Sequence, residues 1–242
     1  MCTVTWLHEH GGFHLFSSRD EKHSRRPAEP PGIFETRGVR WIAPIDPDQG
    51  GSWISANEFG LALCLLNGNG GHGRISRGHL IRELAVASDQ REIAARLEKT
   101  DLSAYAPFAL AILERGASAM LFDWNGCALA SLANADGQLP LASSSVDASA
   151  ARRARAELFE TLQPRPVADL VNFHSSHLPE PGPLSPCMHR AEASTVSFTH
   201  VHVAAQCVRM TYYPGPLCRS PEPWTVQLHA PHCSDRPIHA GQ

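Results

Sequence analysis

The second residue of the chain is a cysteine, and an Arg-Asp pair, Arg19-Asp20, follows about one hairpin later. Methionine is readily trimmed ahead of a small residue, which would leave the thiol and a free α-amine together on Cys2. An unperturbed α-amine titrates at about 7.7–8.0, so near neutral pH part of it can take the thiol's proton. The thiolate is the nucleophile, and its usual pKa of about 8.5 falls beside a positive charge. Arg19 can supply that charge if the first two strands pair and bring their ends together, and Asp20 can hold the amine by a hydrogen bond. The same residues also allow a plainer arrangement: a small buried cysteine at a strand start, with Arg19-Asp20 a surface ion pair in a turn. Spacing alone leaves both open.

The elements that must position these residues follow from periodicity. Thr3–Leu7 and Phe13–Ser18 flank Gly11-Gly12 and predict a hairpin. Ser24–Gly32 is rich in proline and reads as a loop. Gly51–Asn57 and Gly60–Gly71 predict a second hairpin turning at Glu58-Phe59-Gly60. Ser76–Ala87 and Ser88–Lys99 have serine or aspartate starts and apolar residues at helical spacing. "PFALAILERG", "ASAMLFDWNG" and "CALASLA" predict short consecutive strands. Ser145–Leu162 reads as an alanine-rich helix, Thr195–Gly215 returns to a β pattern, and the stretch from Pro216 reads as an irregular tail. Strands and helices are segregated, so the expected class is α+β with mainly antiparallel sheets, in one domain over residues 1–242.

Composition narrows the function classes. A hydrophobic share of 43% over 242 residues supports a sizeable core, and a net charge of −3 without basic runs argues against nucleic-acid binding. Arg25-Arg26 and Arg152-Arg153 read as solvated faces. No stretch approaches the roughly 20 apolar residues of a membrane span. His8, Glu9 and His10 stand where a signal peptide needs its apolar centre, so the expected compartment is the cytoplasm. The 7 cysteines form no CxxC pair, which argues against a disulfide framework or a zinc knuckle. Among the 14 histidines, the local groups are His8/His10, His200/His202 and His229/His232. None has a spaced second pair, so no metal site is assigned, although "HAPHCSDRPIH" could take metal adventitiously.

Four blocks in order carry a resemblance. "SSRDEKHSRRPAEPPG" after a Met-Cys start resembles the Asn-Arg-Asp-Glu signature of the NRDE, or transport-and-Golgi-organisation, family. "GGSWISANEFGLALCLLN" is similar to that family's Gly-Thr-Trp block, and "SRGHLIREL" to its Ser-Arg-Gly helix start. "ANEFGLALCLLN" also resembles the equivalent block of the cholylglycine hydrolase and penicillin V acylase group of N-terminal-nucleophile (Ntn) hydrolases. The resemblance implies a four-layered αββα sandwich of two mainly antiparallel sheets, with the nucleophile at a strand start. It implies Cys2 as nucleophile, Arg19 as its electrostatic activator and Asp20 as the amine anchor. It places Asn67 where the acylases have an oxyanion-hole residue, and Arg190 at a late active-site arginine.

Two departures stand out. Ser18 replaces the signature's first asparagine. "LASSSVD" lies where the relatives carry a second active-site asparagine, so Ser143, Ser144 or Ser145 takes that place, with a shorter reach. A helix N-cap accounts equally well for Ser145. Trp41, Trp53 and Trp124 read as core or rim aromatics rather than a cofactor box, with Trp53 grouped with Ser143 and Ser144 in the substrate-binding set. The implied function is an N-terminal cysteine amidohydrolase or acyltransferase acting on a small-molecule amide or acyl substrate at a non-peptide C–N bond, without a cofactor. The alternative is a non-catalytic carrier of haem or of lipid and acyl-CoA. Substrate identity and oligomeric state are not legible.

Overall fold

A computed structural model describes residues 2–229. Met1 and residues 230–242, which include His232 and Cys233 of the terminal Cys/His/Pro segment, lie outside the described residues. The first strands are β1 (Cys2–Glu9) and β2 (Gly12–Lys22), and they form the expected hairpin. Next come β3 (Glu29–Thr36), β4 (Val39–Ile45), β5 (Ile54–Asn57) and β6 (Leu61–Asn67). Helices α1 (Arg77–Leu84) and α2 (Gln90–Lys99) precede β7 (Phe108–Glu114), β8 (Met120–Trp124), β9 (Leu129–Ala133) and β10 (Leu141–Ser143). Helices α3 (Ala148–Leu162) and α4 (Val167–Ser175) then lead to β11 (Ala193–Val203), β12 (Cys207–Tyr213) and β13 (Trp224–His229).

The strands form two antiparallel sheets, ordered β10-β1-β2-β11-β12-β13 and β3-β4-β5-β6-β7-β8-β9. Between them Val4, Trp6, Leu15, Val201 and Met210 meet Ile42, Ile54, Ala62, Cys64 and Leu113. β6 shows why the sheets stack. Ala62, Cys64 and Leu66 enter this inner core, while Leu61, Leu63 and Leu65 face α1 and α2. A strand buried on both faces reads as a continuous apolar run, and each leucine so buried contributes about 1.5–3 kcal/mol. α3 and α4 cover the outer face of the other sheet around Phe16, Phe198 and Leu170. The layers are therefore α, β, β, α.

Three expectations fail for physical reasons. The proline-rich stretch is not all loop, because Pro30 and Pro31 lie in β3 at a sheet edge with a register shift, where a missing N–H costs no ladder bond. The stretch after Pro216 is not wholly irregular, since β13 adds to the edge at β12. The α3 cap is Asp147, which accepts from the Ala150 N–H at 2.8 Å, rather than Ser145.

Part of the quoted motifs is scaffold. Asn57 is buried, donates to the Ala85 and Ala87 carbonyls at 2.9 and 2.7 Å, and accepts from the Phe59 and Leu61 N–H groups. It ties the end of α1 to the β5–β6 turn. Gly51 and Gly78 cross so closely that a Cβ on Gly51 would meet the Gly78 backbone at 2.6 Å. Only glycine at both positions lets α1 start against the segment before β5.

Candidate active site

Cys2 begins β1, with Arg19 opposite it on β2 and Ser143 opposite it on β10. The Cys2 N–H donates to Ser143 Oγ at 3.0 Å. The thiol lies at a cavity of about 110 Å³ whose walls come from both sheets: Arg19 and Glu21 on β2, Trp53 before β5, Asn67 at the end of β6, and Ser76 and Arg77 at the start of α1. Cys2 is 5% exposed, and Asn67 is exposed at the mouth. Arg19 and Asp20 leave β2 towards opposite sides because strand side chains alternate.

On the cavity side, the Arg19 guanidinium lies 4.5 Å from the Trp53 ring centroid, a cation–π contact. It also stands 3.3 Å from Glu21 and 3.5 Å from Asp46. Arg25 pairs with the same Asp46 and lies 3.8 Å from Glu21. Arg25 is thus part of the cavity wall rather than a solvated face, whereas Arg26 pairs outward with Asp48 at 2.7 Å. Arg77 donates to the Pro107 carbonyl at 2.7 Å, and burial lowers its pKa. The positive end of α1 also favours negative charge here.

On the other side, Asp20 Oδ1 accepts from Thr195 Oγ1 at 2.7 Å and Asp20 Oδ2 stands 3.5 Å from Arg155. Arg155, on α3, is fully buried and donates to Thr3 Oγ1 at 2.6 Å and to the Cys2 carbonyl at 3.4 Å. His174, on α4, bridges Thr5 Oγ1 and Ser18 Oγ at 2.9 and 2.8 Å. Burial, and then Arg155, push its pKa down to about 3. Asp20 also reaches the cavity wall.

Burial raises the Cys2 thiol pKa. Asp20 and Glu21 raise it further, Arg19 lowers it, and the net direction is up. Two carboxylates share the Arg19 charge, and desolvation disfavours the thiolate.

The predicted residues divide accordingly. Cys2, Arg19, Asp20, Trp53 and Asn67 come together. Ser143 is present too, but on the Cys2 nitrogen rather than on a substrate position. Ser144 accepts from the Val146 N–H at 3.2 Å in a local turn. Arg190 does not line the cavity; it pairs with Glu192 in the turn before β11. The arginine the sequence did not single out is Arg155. Its only signal is Ala151 four residues earlier, which puts both on the buried face of α3.

The sequence model of the Transport and Golgi organisation 2 family (TANGO2) matches residues 1–157. The chain belongs to that family. NRDE is another name for TANGO2, so the Asn-Arg-Asp-Glu resemblance and the family match agree. Among curated proteins, none matches the chain significantly. Solved structures share the fold. Penicillin V acylase from Agrobacterium tumefaciens superposes with a TM-score of 0.62 at 10% identity, covering 94% of this chain and 86% of that one. A Caenorhabditis elegans N-acylethanolamine-hydrolyzing acid amidase ortholog gives 0.57 at 12% identity, covering 83% and 92%. The C2A mutant of conjugated bile acid hydrolase from Clostridium perfringens gives 0.55 at 12% identity, covering 94% and 92%. This TANGO2 chain therefore has the αββα sandwich of the Ntn hydrolases. No described helix is long and apolar enough to cross a membrane.

Proposed function

We propose that the chain is an N-terminal cysteine amidohydrolase, or an acyltransferase of the same chemistry, acting on a small non-peptide amide. The observation that carries this reading is the placement of Cys2: first on its strand, at a cavity, with its nitrogen held by Ser143 at 3.0 Å. After Met1 is removed, that nitrogen becomes an α-amine beside the thiol and can take its proton. The sulfur attacks the amide carbonyl carbon, and the Asn67 side chain and the α1 N-terminus stand on the cavity wall to receive the developing oxyanion. The C–N bond then breaks, the proton on the α-amine passes to the leaving nitrogen, and the thioester is cleared by water or another acceptor. Three solved structures of the same fold bear the names of amide-cleaving enzymes or a bile acid hydrolase, which supports the reaction class.

The carrier alternative fits less well at this cavity. A volume of about 110 Å³ is small against the roughly 300–1,000 Å³ of a pocket that encloses a ligand. It admits the reacting amide and leaves the remainder of a substrate outside, and a porphyrin does not fit within it.

The test is the intact mass of protein purified from its own host, joined to limited alkylation. The processed chain is expected to lack Met1 and to label at Cys2 faster than a variant that keeps a residue ahead of Cys2. Turnover of acylated small amines should vanish in Cys2→Ala. A retained or acetylated methionine in the native protein removes the self-base mechanism.

A further inference from the structure

On the outer side of the β10-to-β13 sheet, four side chains from distant parts of the chain meet: His177 after α4, Cys187 and His189 in the loop before β11, and Cys218 in the turn after β12. Their nitrogen and sulfur ligand atoms all lie within 4.8 Å of one another. Cys187 Sγ is 3.6 Å from Cys218 Sγ and 3.5 Å from His189 Nε2, and Cys218 Sγ is 3.4 Å from His189 Nε2. A tetrahedral zinc ion has Zn–S of about 2.3 Å and Zn–N of about 2.0–2.1 Å, which sets S···S near ~3.8 Å and S···N near ~3.6 Å. The three separations among Cys187, His189 and Cys218 lie close to those edges before any ion is placed, and His177 completes the group within 4.8 Å. A second observation points the same way: His177 Nε2 is buried and has no hydrogen-bond partner. A buried ring nitrogen without a partner is costly unless something takes its lone pair or its proton.

We infer that His177, Cys187, His189 and Cys218 form a structural zinc site, closed by two imidazoles and two thiolates. Two thiolates balance the ion's two positive charges, and this donor set favours zinc over calcium or magnesium. Binding releases a proton from each thiol, so affinity falls as pH falls.

The site clasps the loop that backs the nucleophile strand. The Cys187 N–H donates to the Ser176 carbonyl at 3.0 Å, tying the loop to the end of α4. The Met188 N–H donates to Thr195 Oγ1 at 2.8 Å, and that hydroxyl donates to Asp20. Arg155, which faces Asp20, donates to the Leu184 and Pro183 carbonyls of the same loop at 3.3 and 3.4 Å. Zinc therefore fixes a loop whose carbonyls and N–H groups position Arg155 and Asp20 behind Cys2. Sequence spacing hides the site, because His177 and Cys218 stand 41 positions apart and no CxxC pair occurs.

Metal analysis of the full chain purified under reducing conditions tests this. The wild type is expected to carry about one zinc per chain, kept in Cys2→Ala and largely lost in both Cys218→Ser and His189→Ala. Cobalt loading of the wild type gives a readout that needs no variant: tetrahedral d–d bands with thiolate-to-cobalt charge transfer. A Cys187–Cys218 disulfide in unreduced peptide maps, with no zinc uptake after reduction, would overturn the assignment. So would full zinc in both variants, which would put the ion elsewhere, as at Glu9, His14 and His202. A cobalt complex without sulfur charge transfer is equally fatal.

Discussion

On the cavity side of β1 and β2, Cys2, Arg19 and Glu21 sit among mixed charges at an opening between the sheets. On the helix side, Thr3, Ser18 and Asp20 meet Arg155, His174 and Thr195 in a dry layer with the hydroxyls and rings in pairs. The two sides share one strand pair and alternate residue by residue, yet their polar groups do different things. The cavity side keeps charged groups near a thiol at an opening between the sheets. The helix side removes water and fixes the backbone that carries Cys2, through the Arg155 bond to the Cys2 carbonyl. On the proposed function, chemistry and positioning are thus separated by the pleat.

The largest effect that tests this division is on Arg155. Arg155→Met removes the cation facing buried Asp20 and the donor to Thr3 and to the Cys2 carbonyl. Breaking a buried ion pair by deleting one partner typically costs about 3–5 kcal/mol. Urea unfolding at neutral pH should show a loss of that order, whereas Cys2→Ala should lose far less stability while abolishing turnover. A loss under about 1 kcal/mol for Arg155→Met would mean that the helix side does not hold the site.

A second effect is pH dependence. Buried His174 and half-buried His200 have pKa values pushed down to about 3, by desolvation first and then by Arg155 for His174 and by neighbouring His14 for His200. Their folded values lie below the unfolded value of about 6.5, so the unfolded chain binds more protons below that pH. Stability is fully present above about 6.5 and falls as pH drops towards 3, with a slope of up to about 1.4 kcal/mol per pH unit for each histidine. Unfolding midpoints between pH 7 and 4.5 should fall accordingly. His174→Gln should flatten the slope while lowering stability at pH 7, since it disturbs the bonds to Thr5 and Ser18. An unchanged slope would show that water reaches the helix side.

Much of this arrangement was legible in the sequence. The Gly11-Gly12 hairpin, both helices after β6 and the Cys2–Arg19 pairing follow from period, turn residues and hairpin length. Less legible was anything that depends on which face a side chain takes. Arg19 and Asp20 were read together on Cys2; a period of two sends adjacent side chains to opposite faces, so Asp20 also meets Thr195 and Arg155 while reaching the cavity wall. Counting from Cys2 opposite Arg19 adds Glu21 to the thiol's side, a residue the sequence reading did not single out. Arg155 hid in "ARRARAEL" beside two solvent-facing arginines, Arg152 and Arg153, because a single buried charge leaves no periodic trace. Pro30 and Pro31 looked like loop because a sequence does not say that a strand will lie at an edge.

The smallest expected change in stability is also the sharpest test of the cavity side. Asn67 ends β6 at the cavity mouth and is exposed, so truncating it leaves no buried cavity and no orphaned core group. Asn67→Ala should shift the unfolding free energy by no more than about 0.5 kcal/mol, the usual range for a surface position. If its amide meets the oxyanion, turnover should nevertheless fall by about 10²–10³. The loss should appear in kcat more than in KM, because the negative charge develops only in the transition state. Asn67→Asp should be worse than Asn67→Ala, since a carboxylate of nearly the same shape repels the charge it would face. Equal kcat in wild type and Asn67→Ala would take the oxyanion away from β6 and leave the α1 N-terminus as the group on the cavity wall able to receive it.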